Sequence, residues 1–600
     1  MAELAVAERD VGTLQTRPLS RVEWSVAFLL FTAAAAGFMI KAGRWFPDDA
    51  YIFFRYARNI SGGDGWTYNA GDAGANGATS PLWTLILAAA FWLRGNMESN
   101  AWLIYALCLG SAGTFTFAGL RHVGQGVAGA CAALFIVSNP VLILICGMEA
   151  ALFVSISAAL IHFGLASKSD VPAGVLGGLL VLVRPEGIIL FGLIVIVLLY
   201  RSRKVPWKAG LAAALVLMPW VIYSTIAFGS PIAGTLAAKT AQGKSGYFGP
   251  SFVFMRYLRT MVNTPWTVIM ILLAIVGLIA GLRWVGSRSY VVVVVAFGGL
   301  HFAIYGLVIQ PPAYLWYYAV TYWVLAILAG VGAAFIARVV SVAAGSLVGV
   351  DASSSPIVSG VCAFAIAGAV VVMCTIPASR AYNYVGYERA AAWIRDNTPE
   401  SSSVAATEIG LMGWRSERTI VDYLGLLSRQ SAEEVGRADL STWLAREQPD
   451  YFISHVPTWD MEQPSMSQAW FPSAYVPVFE SAVGGWSQVR VFQRIRSRAE
   501  AAAVDETAMV TEELAGSLES EGIRLDGQAK EVLGRLLHLY LIDGDLQARF
   551  ETSEGTDLSG LIRWAASSDD GRLEQWRDGL TALASSFSTA EVTTFLAPSA

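Results

Sequence analysis

The sequence predicts a polytopic α-helical membrane protein of about eleven transmembrane helices, followed by an extracytoplasmic α/β domain and an acidic helical tail. Three observations predict it. Of the 600 residues, 55% are hydrophobic and only 14% are charged, where a soluble domain carries about a quarter charged residues. Uncharged apolar runs recur as far as residue 377, most of them near the roughly 20 residues that a membrane crossing needs. Charge is then divided unevenly: residues 501–600 hold 18 acids and 7 bases, net −11, which leaves +6 on residues 1–500 within the overall −5.

Residues 1–23 are polar and mixed in charge, without the features of a cleavable signal, and read as a cytoplasmic segment. The transmembrane domain runs over 24–377. Its spans lie near 24–40, 101–120, 123–140, 147–166, 171–184, 187–200, 208–228, 265–282, 289–309, 314–337 and 356–377; the stretches 123–166 and 171–200 admit other divisions. The run PLWTLILAAAFWL (81–93) is too short to cross comfortably and reads as interfacial or re-entrant, within a first outer loop of residues 41–100.

Basic loops set the orientation. RSRKVPWK (201–208) is the strongest basic cluster between spans and is placed in the cytoplasm; Arg121, Lys168, Arg283, Arg288 and Arg338 fall on the same side. The loop 229–263 is then outside, although Lys239, Lys244, Arg256 and Arg259 face no acid in it. A loop of that kind either binds something anionic or shifts the count by one.

After residue 377 hydropathy falls. GYERAAAWIRDNTP (386–399) reads as an amphipathic helix stopped by Pro399, and 402–410, 418–425 and 449–455 as short strands, with a helix at 441–448. Segments 476–481 and 487–495 form an expected hairpin around Gly484–Gly485. These make an α/β domain over 378–498. Residues 499–600 form an acidic helical module with apolar helical patterns at 531–542 and 561–568.

Composition also excludes classes of function. The five cysteines lie in apolar runs and form no disulfide framework, the five histidines lack zinc-ligand spacing, and no basic face interleaved with aromatics suits nucleic acid.

The stretch FPDDAYIFFRYARN (46–59) is the richest in chemistry. Pro47 and an acid at the N-cap begin a helix on which Asp48, Tyr51, Arg55 and Arg58 fall on one face. A carboxylate, a phenol and two guanidiniums suit a phosphorylated sugar: the acid takes a proton and the arginines hold phosphate oxygens. The bland alternative is a capping Asp48 with arginines snorkelling to headgroups. Under the chosen orientation Asp49, Glu149, Arg184, Glu186, Lys239 and the turn QPPAYLWYY (310–318) meet at the same outer surface. Glu149 could equally serve only its helix dipole, Arg184 and Glu186 could form a turn lock, and Tyr314, Trp316, Tyr317 and Tyr318 could be an interfacial belt. Asp48, Asp49 and Glu149 could hold Mg²⁺ or Mn²⁺ if they converge.

The segment DDAYIFFRYARNISGGDGWTYNAGDAGANGATSPLW (48–83) resembles the first outer loop of membrane glycosyltransferases of the GT-C superfamily. It is most similar to the group of the terminal arabinofuranosyltransferases of mycobacterial cell walls. GMEAALF (147–153), VRPEG (183–187), the GSP…AKT loop (229–240), EIGLMGW (408–414) and TIVDYLGL (419–426) extend the likeness over roughly 20–495. The resemblance implies a GT-C-like fold and transfer of a sugar, with arabinofuranose one candidate, from a polyprenyl-phosphate donor to a glycan, lipid or protein hydroxyl. This would occur at the outer face of a bacterial plasma membrane. It implies Asp48 or Asp49 as base, with Glu149, Arg184, Glu186 and Lys239 lining the donor and acceptor pocket. Tyr51, Arg55, Arg58, Asn76 and Tyr317 join the expected substrate-binding set. Where the group often has a GE-x-x-E pattern, this chain keeps Asp72 but has Asn76 or Gly77 at the second acid, with one residue inserted. The sugar and any metal are thereby left open. The competing reading is a transporter or flippase of lipid-linked sugars; its expected mid-membrane charges and repeat symmetry are not visible. A third is a glycan-binding scaffold.

Overall fold

The computed structural model describes residues 19–72, 75–166, 169–250, 252–284, 288–348, 356–373, 384–483, 485–520, 524–542, 558–568, 573 and 577–586. Lys168, used above for orientation, Gly484 of the hairpin turn and residues 374–377 of the last expected span lie outside the described residues, as do residues 1–18. The chain forms two compact units: residues 1–439 with 481–489, and residues 440–480 with 490–600.

The first unit is built on apolar helices. Among the described residues, seven are long and apolar enough to cross a membrane: Arg21–Ala42, Met97–His122, Gly126–Leu144, Trp207–Phe228, Pro265–Arg283, Arg288–Ile309 and Leu315–Ala344. Ala150–Ala166, Val171–Val183, Gly187–Ser202 and Val358–Met373 are apolar but shorter, and so is Pro81–Arg94, the expected re-entrant segment. Each of the eleven sequence runs therefore carries an apolar helix.

Local chemistry sets the ends. Ser20 and Glu23 form a reciprocal capping box at the first helix, the Ser20 hydroxyl accepting from the Glu23 N–H and the Glu23 carboxylate from the Ser20 N–H. The Asn139 side chain accepts from the amides of Val141 and Leu142, with Pro140 at the first helical position, so the long helix after Gly126 is re-started in a second short segment. The helix Arg288–Ala303 opens into a π-helical turn, Ile304–Ile309, a feature common at functional sites. Met97–His122 packs on Ala150–Ala166, and Pro265–Arg283 on the helix Ala319–Val348.

The first unit also holds a piece of α/β structure. Strand β1 (Ser403–Ala406) runs parallel to β2 (Thr419–Asp422), with Val404 opposite Ile420, and the helix Ile409–Ser416 connects them. That connecting helix packs on the amphipathic helix Asp48–Gly62.

In the second unit, β3 (Tyr451–His455) is buried at every position, and β5 (Val489–Arg494, in this unit from Arg490 on) lies between it and β4 (Tyr475–Glu480), antiparallel to β4. The described part of the acidic tail is helical. Helices Arg498–Ser520, Gly527–Ile542, Leu558–Ser567 and Arg577–Ser586 place Leu518, Leu533, Leu536, Leu561, Ile562 and Leu580 in one buried apolar cluster. Among the described residues, Glu512, Glu519, Asp526, Glu531 and Asp578 lie on the exposed faces, as amphipathic periodicity requires.

Candidate active site

A cavity of about 300 Å³ lies within the first unit. Its polar wall is Asp49, Glu149, Arg184, Glu186, Lys239, Tyr305 and Tyr317; its apolar wall includes Ile52, Phe53, Ile188, Ile189, Ile232, Leu236, Ile304 and Ile309. Four separate chain segments supply the charged groups, and each is placed for a local reason.

Asp48 and Asp49 open the helix Asp48–Gly62 behind Pro47, where carboxylates suit the helix dipole. Adjacent residues on a helix point about 100° apart, so the two acids have different surroundings. Asp49 faces the cavity with Ile52 and Phe53, and its Oδ2 lies 3.3 Å from Lys239 Nζ. Asp48 is turned away. Its carboxylate accepts from the Gly410 and Leu411 amides at 3.0 and 2.6 Å. Gly410 is required there, since a Cβ would strike the Asp48 carbonyl.

Glu408 sits against Asp48 through a side-chain hydrogen bond, and burial together with the charge of Asp48 holds its carboxyl well above the usual range. Burial also pushes Asp48 up to about 7; the Leu411 amide opposes that rise and the charge of Asp49 adds to it. Both folded-state values exceed the unfolded ones. The pair therefore stabilises the fold at low pH, and that contribution is lost as pH rises through about 7. The thermal midpoint of the purified protein should fall between about pH 5 and about pH 8, and Glu408→Gln should flatten the fall. An unchanged slope in the variant would show that the pair is not its source.

Glu149 follows Gly147, whose φ of +89° puts any side chain against Phe46, and whose carbonyl accepts from Trp83 Nε1 at 2.9 Å. This turn fixes Glu149 just ahead of the helix Ala150–Ala166. Arg184 terminates Val171–Val183 in an extended conformation, and Glu186 precedes Gly187–Ser202. The guanidinium bridges both acids: Arg184 Nη1 donates to Glu149 Oε1 at 2.8 Å and Nε to Glu186 Oε1 at 2.5 Å. Arg184 Nη2 donates to the Tyr305 hydroxyl at 3.1 Å, and that hydroxyl donates to Glu186 at 2.7 Å. His301 stacks on Tyr305 at 4.6 Å, and the Tyr317 ring lies 5.4 Å from the Arg184 guanidinium. The turn-lock alternative is thus part of a larger network. Glu149 Oε2 and Thr235 Oγ1 are buried on the cavity wall without a hydrogen-bond partner.

Lys239 rides on the short helix Thr235–Lys244. Besides Asp49, its ammonium meets the ring of Tyr314 at 4.3 Å and that of Trp316 at 5.7 Å; these two rings stack face to face. Of the four aromatics read as an interfacial belt, Tyr314 and Trp316 meet this cation, while Tyr318 stacks on Phe254.

The charged face read on the first-loop helix does not line the cavity. Arg55 is buried away from it, donating to the carbonyls of Tyr68, Gly413 and Arg418 and to Asn69 Oδ1. Backbone carbonyls, not phosphate oxygens, satisfy it. Arg58 lies over Trp414 and 3.9 Å from Glu417, and Tyr51 packs edge-on to Phe46 and Phe54. Asn76 ties loops together: its side chain donates to Ser224 Oγ and its carbonyl accepts from the Gly234 amide, so the neighbouring Gly77 and Thr79 reach the wall instead. The proposed ligand set for Mg²⁺ or Mn²⁺ does not assemble, because Asp48 is held by amides, Asp49 by Lys239 and Glu149 by Arg184. Among the described residues no group of three His, Cys, Asp or Glu is arranged to hold a metal ion.

Comparison with known proteins adds the fold. A family model described as a domain of unknown function (DUF8728) matches residues 378–507. No curated protein matches the sequence. Among solved structures, apo ArnT from Cupriavidus metallidurans superposes with a TM-score of 0.50 at 13% identity, over 78% of this chain and 98% of that one. The chain has the ArnT fold. This is the GT-C-like architecture that the sequence resemblance implied. The same ArnT bound to undecaprenyl phosphate gives 0.49 at 14% identity, covering 80% and 99%. An Archaeoglobus fulgidus oligosaccharyltransferase tethered to an acceptor peptide gives 0.49 at 14%, covering 77% and 74%.

Proposed function

We propose that the chain is a membrane glycosyltransferase. It moves a sugar from a polyprenyl-phosphate donor to a hydroxyl of a cell-envelope glycan or lipid, at the outer face of a bacterial plasma membrane. The observation that carries this reading is the cavity's double character. One wall holds a carboxylate–ammonium pair and a buried Glu–Arg–Glu network, and the other is isoleucine and leucine, with Ile188, Ile232 and Leu236 exposed at the rim. A ligand that fills both must join an anion and hydroxyl donors to a long apolar chain. A sugar on a lipid phosphate is such a molecule, and its hydroxyls suit Glu149 Oε2 and Thr235 Oγ1.

The chemistry follows from the two walls. The acceptor hydroxyl attacks the anomeric carbon, and Asp49 takes its proton. The bond from that carbon to the phosphate oxygen breaks, and its electrons leave with the lipid phosphate. Lys239 offsets the negative charge growing there. Glu149 and Glu186, fixed by Arg184 and Tyr305, orient the sugar. Asp48 and Glu408 position Asp49 by clamping the start of its helix. Arabinofuranose is one candidate sugar, on the motif likeness of the first outer loop.

Incubating the purified protein with labelled polyprenyl-phosphate sugars and glycan or lipid acceptors tests the reading. Transfer of label to the acceptor is expected. Movement of intact donor across a vesicle membrane without transfer would instead favour a transporter, and binding alone a scaffold.

A further inference from the structure

Asp49 and Lys239 are assigned to the two halves of one reaction, yet the structure has them bonded to each other. The Asp49 oxygen that lies 3.3 Å from the ammonium is a weaker proton acceptor while it is paired there. Resting on the glycosyltransferase reading above, we infer that the donor's own phosphate switches the base on. Phosphate entering the cavity competes with Asp49 for Lys239, the ammonium turns onto the phosphate, and the released carboxylate becomes available to the acceptor hydroxyl.

The surroundings fit a switch of this kind. Both side chains line the same cavity, so the ammonium need not leave it to reach a new partner. The lysine stem is flexible and its charge is compact, which lets it exchange partners where an arginine fork would hold one geometry. Tyr314 and Trp316 flank the ammonium and attract it wherever it lies over their faces, so a small swing keeps that contribution. The other cation on the wall is less free to do this, because three of the five N–H groups of Arg184 are already fixed on Glu149, Glu186 and Tyr305. With the base held by lysine until phosphate arrives, acceptor alone meets no activated carboxylate.

Competition for one ammonium has a thermodynamic signature. Binding of a polyprenyl phosphate that carries no sugar, read by intrinsic tryptophan fluorescence in detergent micelles, should tighten when Asp49→Asn removes the competitor. A gain of about three- to tenfold is expected, the size of a modest coupling free energy. In the Lys239→Met background, where there is no ammonium to contest, the same substitution should change affinity little, and Lys239→Met alone should weaken binding. Equal tightening in both backgrounds would mean that Asp49 merely repels phosphate, and unchanged or weaker binding in Asp49→Asn would mean that the pair does not open; either overturns the switch and leaves the transfer reading standing. Failure of the wild-type protein to bind the lipid phosphate at all would remove both.

Discussion

On the proposed transfer reading, Asp49→Asn should reduce sugar transfer by a factor of about 10²–10⁴, the usual contribution of a positioned base, and should leave the protein folded. The neighbouring variant behaves differently. Asp48→Asn disturbs a carboxylate that accepts from two buried amides and lies against Glu408, so its defect shows in stability and in the pH dependence of unfolding, with the smaller loss of turnover. The contrast follows from one step along a helix: Asp49 lines the cavity, Asp48 does not. Transfer rates and unfolding midpoints measured on both variants check it. Wild-type turnover in Asp49→Asn, or a larger loss in Asp48→Asn, would reverse the assignment.

The second large effect is expected at Arg184. Two buried carboxylates share this one guanidinium, with Glu149 2% and the Arg184 side chain 9% exposed. Arg184→Met fills similar space but leaves both acids without their cation. Breaking a buried pair from one side costs about 3–5 kcal/mol, which should appear as a large drop in the unfolding midpoint in detergent. Adding Glu149→Gln should recover part of that drop, since one stranded charge is then gone. If Arg184→Met unfolds like the wild type, the network is not a buried charge cluster. If the second substitution makes matters worse, Glu149 is held by something other than this arginine.

The sequence and the structure agree most where chemistry interrupts apolar runs. Glu149, Arg184 and Glu186 are legible because ionisable groups at the ends of apolar helices demand partners, and Lys239 because its loop is basic, holds no acid, and falls on the outer side only when the other basic loops set the orientation. The cavity face of the first-loop helix is not the charged face, for a physical reason. Counting charges selects Asp48, Tyr51, Arg55 and Arg58, but a buried arginine can be satisfied by backbone carbonyls, which no side-chain pattern records. Arg55 has three such carbonyls, from residues 68, 413 and 418. The cavity face, Asp49 with Ile52 and Phe53, looks like ordinary core. His301 and Tyr305 were hidden inside an apolar run, although their spacing of four on a spanning helix was the available sign. Glu408 lay in a segment read as a strand end, more than 350 residues from the aspartate it touches. The strands β1 and β2 were recognisable by their apolar runs, but their ends were overextended, because glycine and acid positions there serve the site rather than the sheet.

The central claim is that one cavity holds both the phosphate and the apolar chain of a lipid-linked sugar. An experimental structure of the protein with a bound polyprenyl phosphate tests it most directly. The account predicts the phosphate within hydrogen-bond reach of Lys239 Nζ, Lys239 turned away from Asp49, and the chain leaving past Ile188 and Ile232. A phosphate seated away from Lys239 and Arg184, or a chain that never enters the cavity, would contradict it.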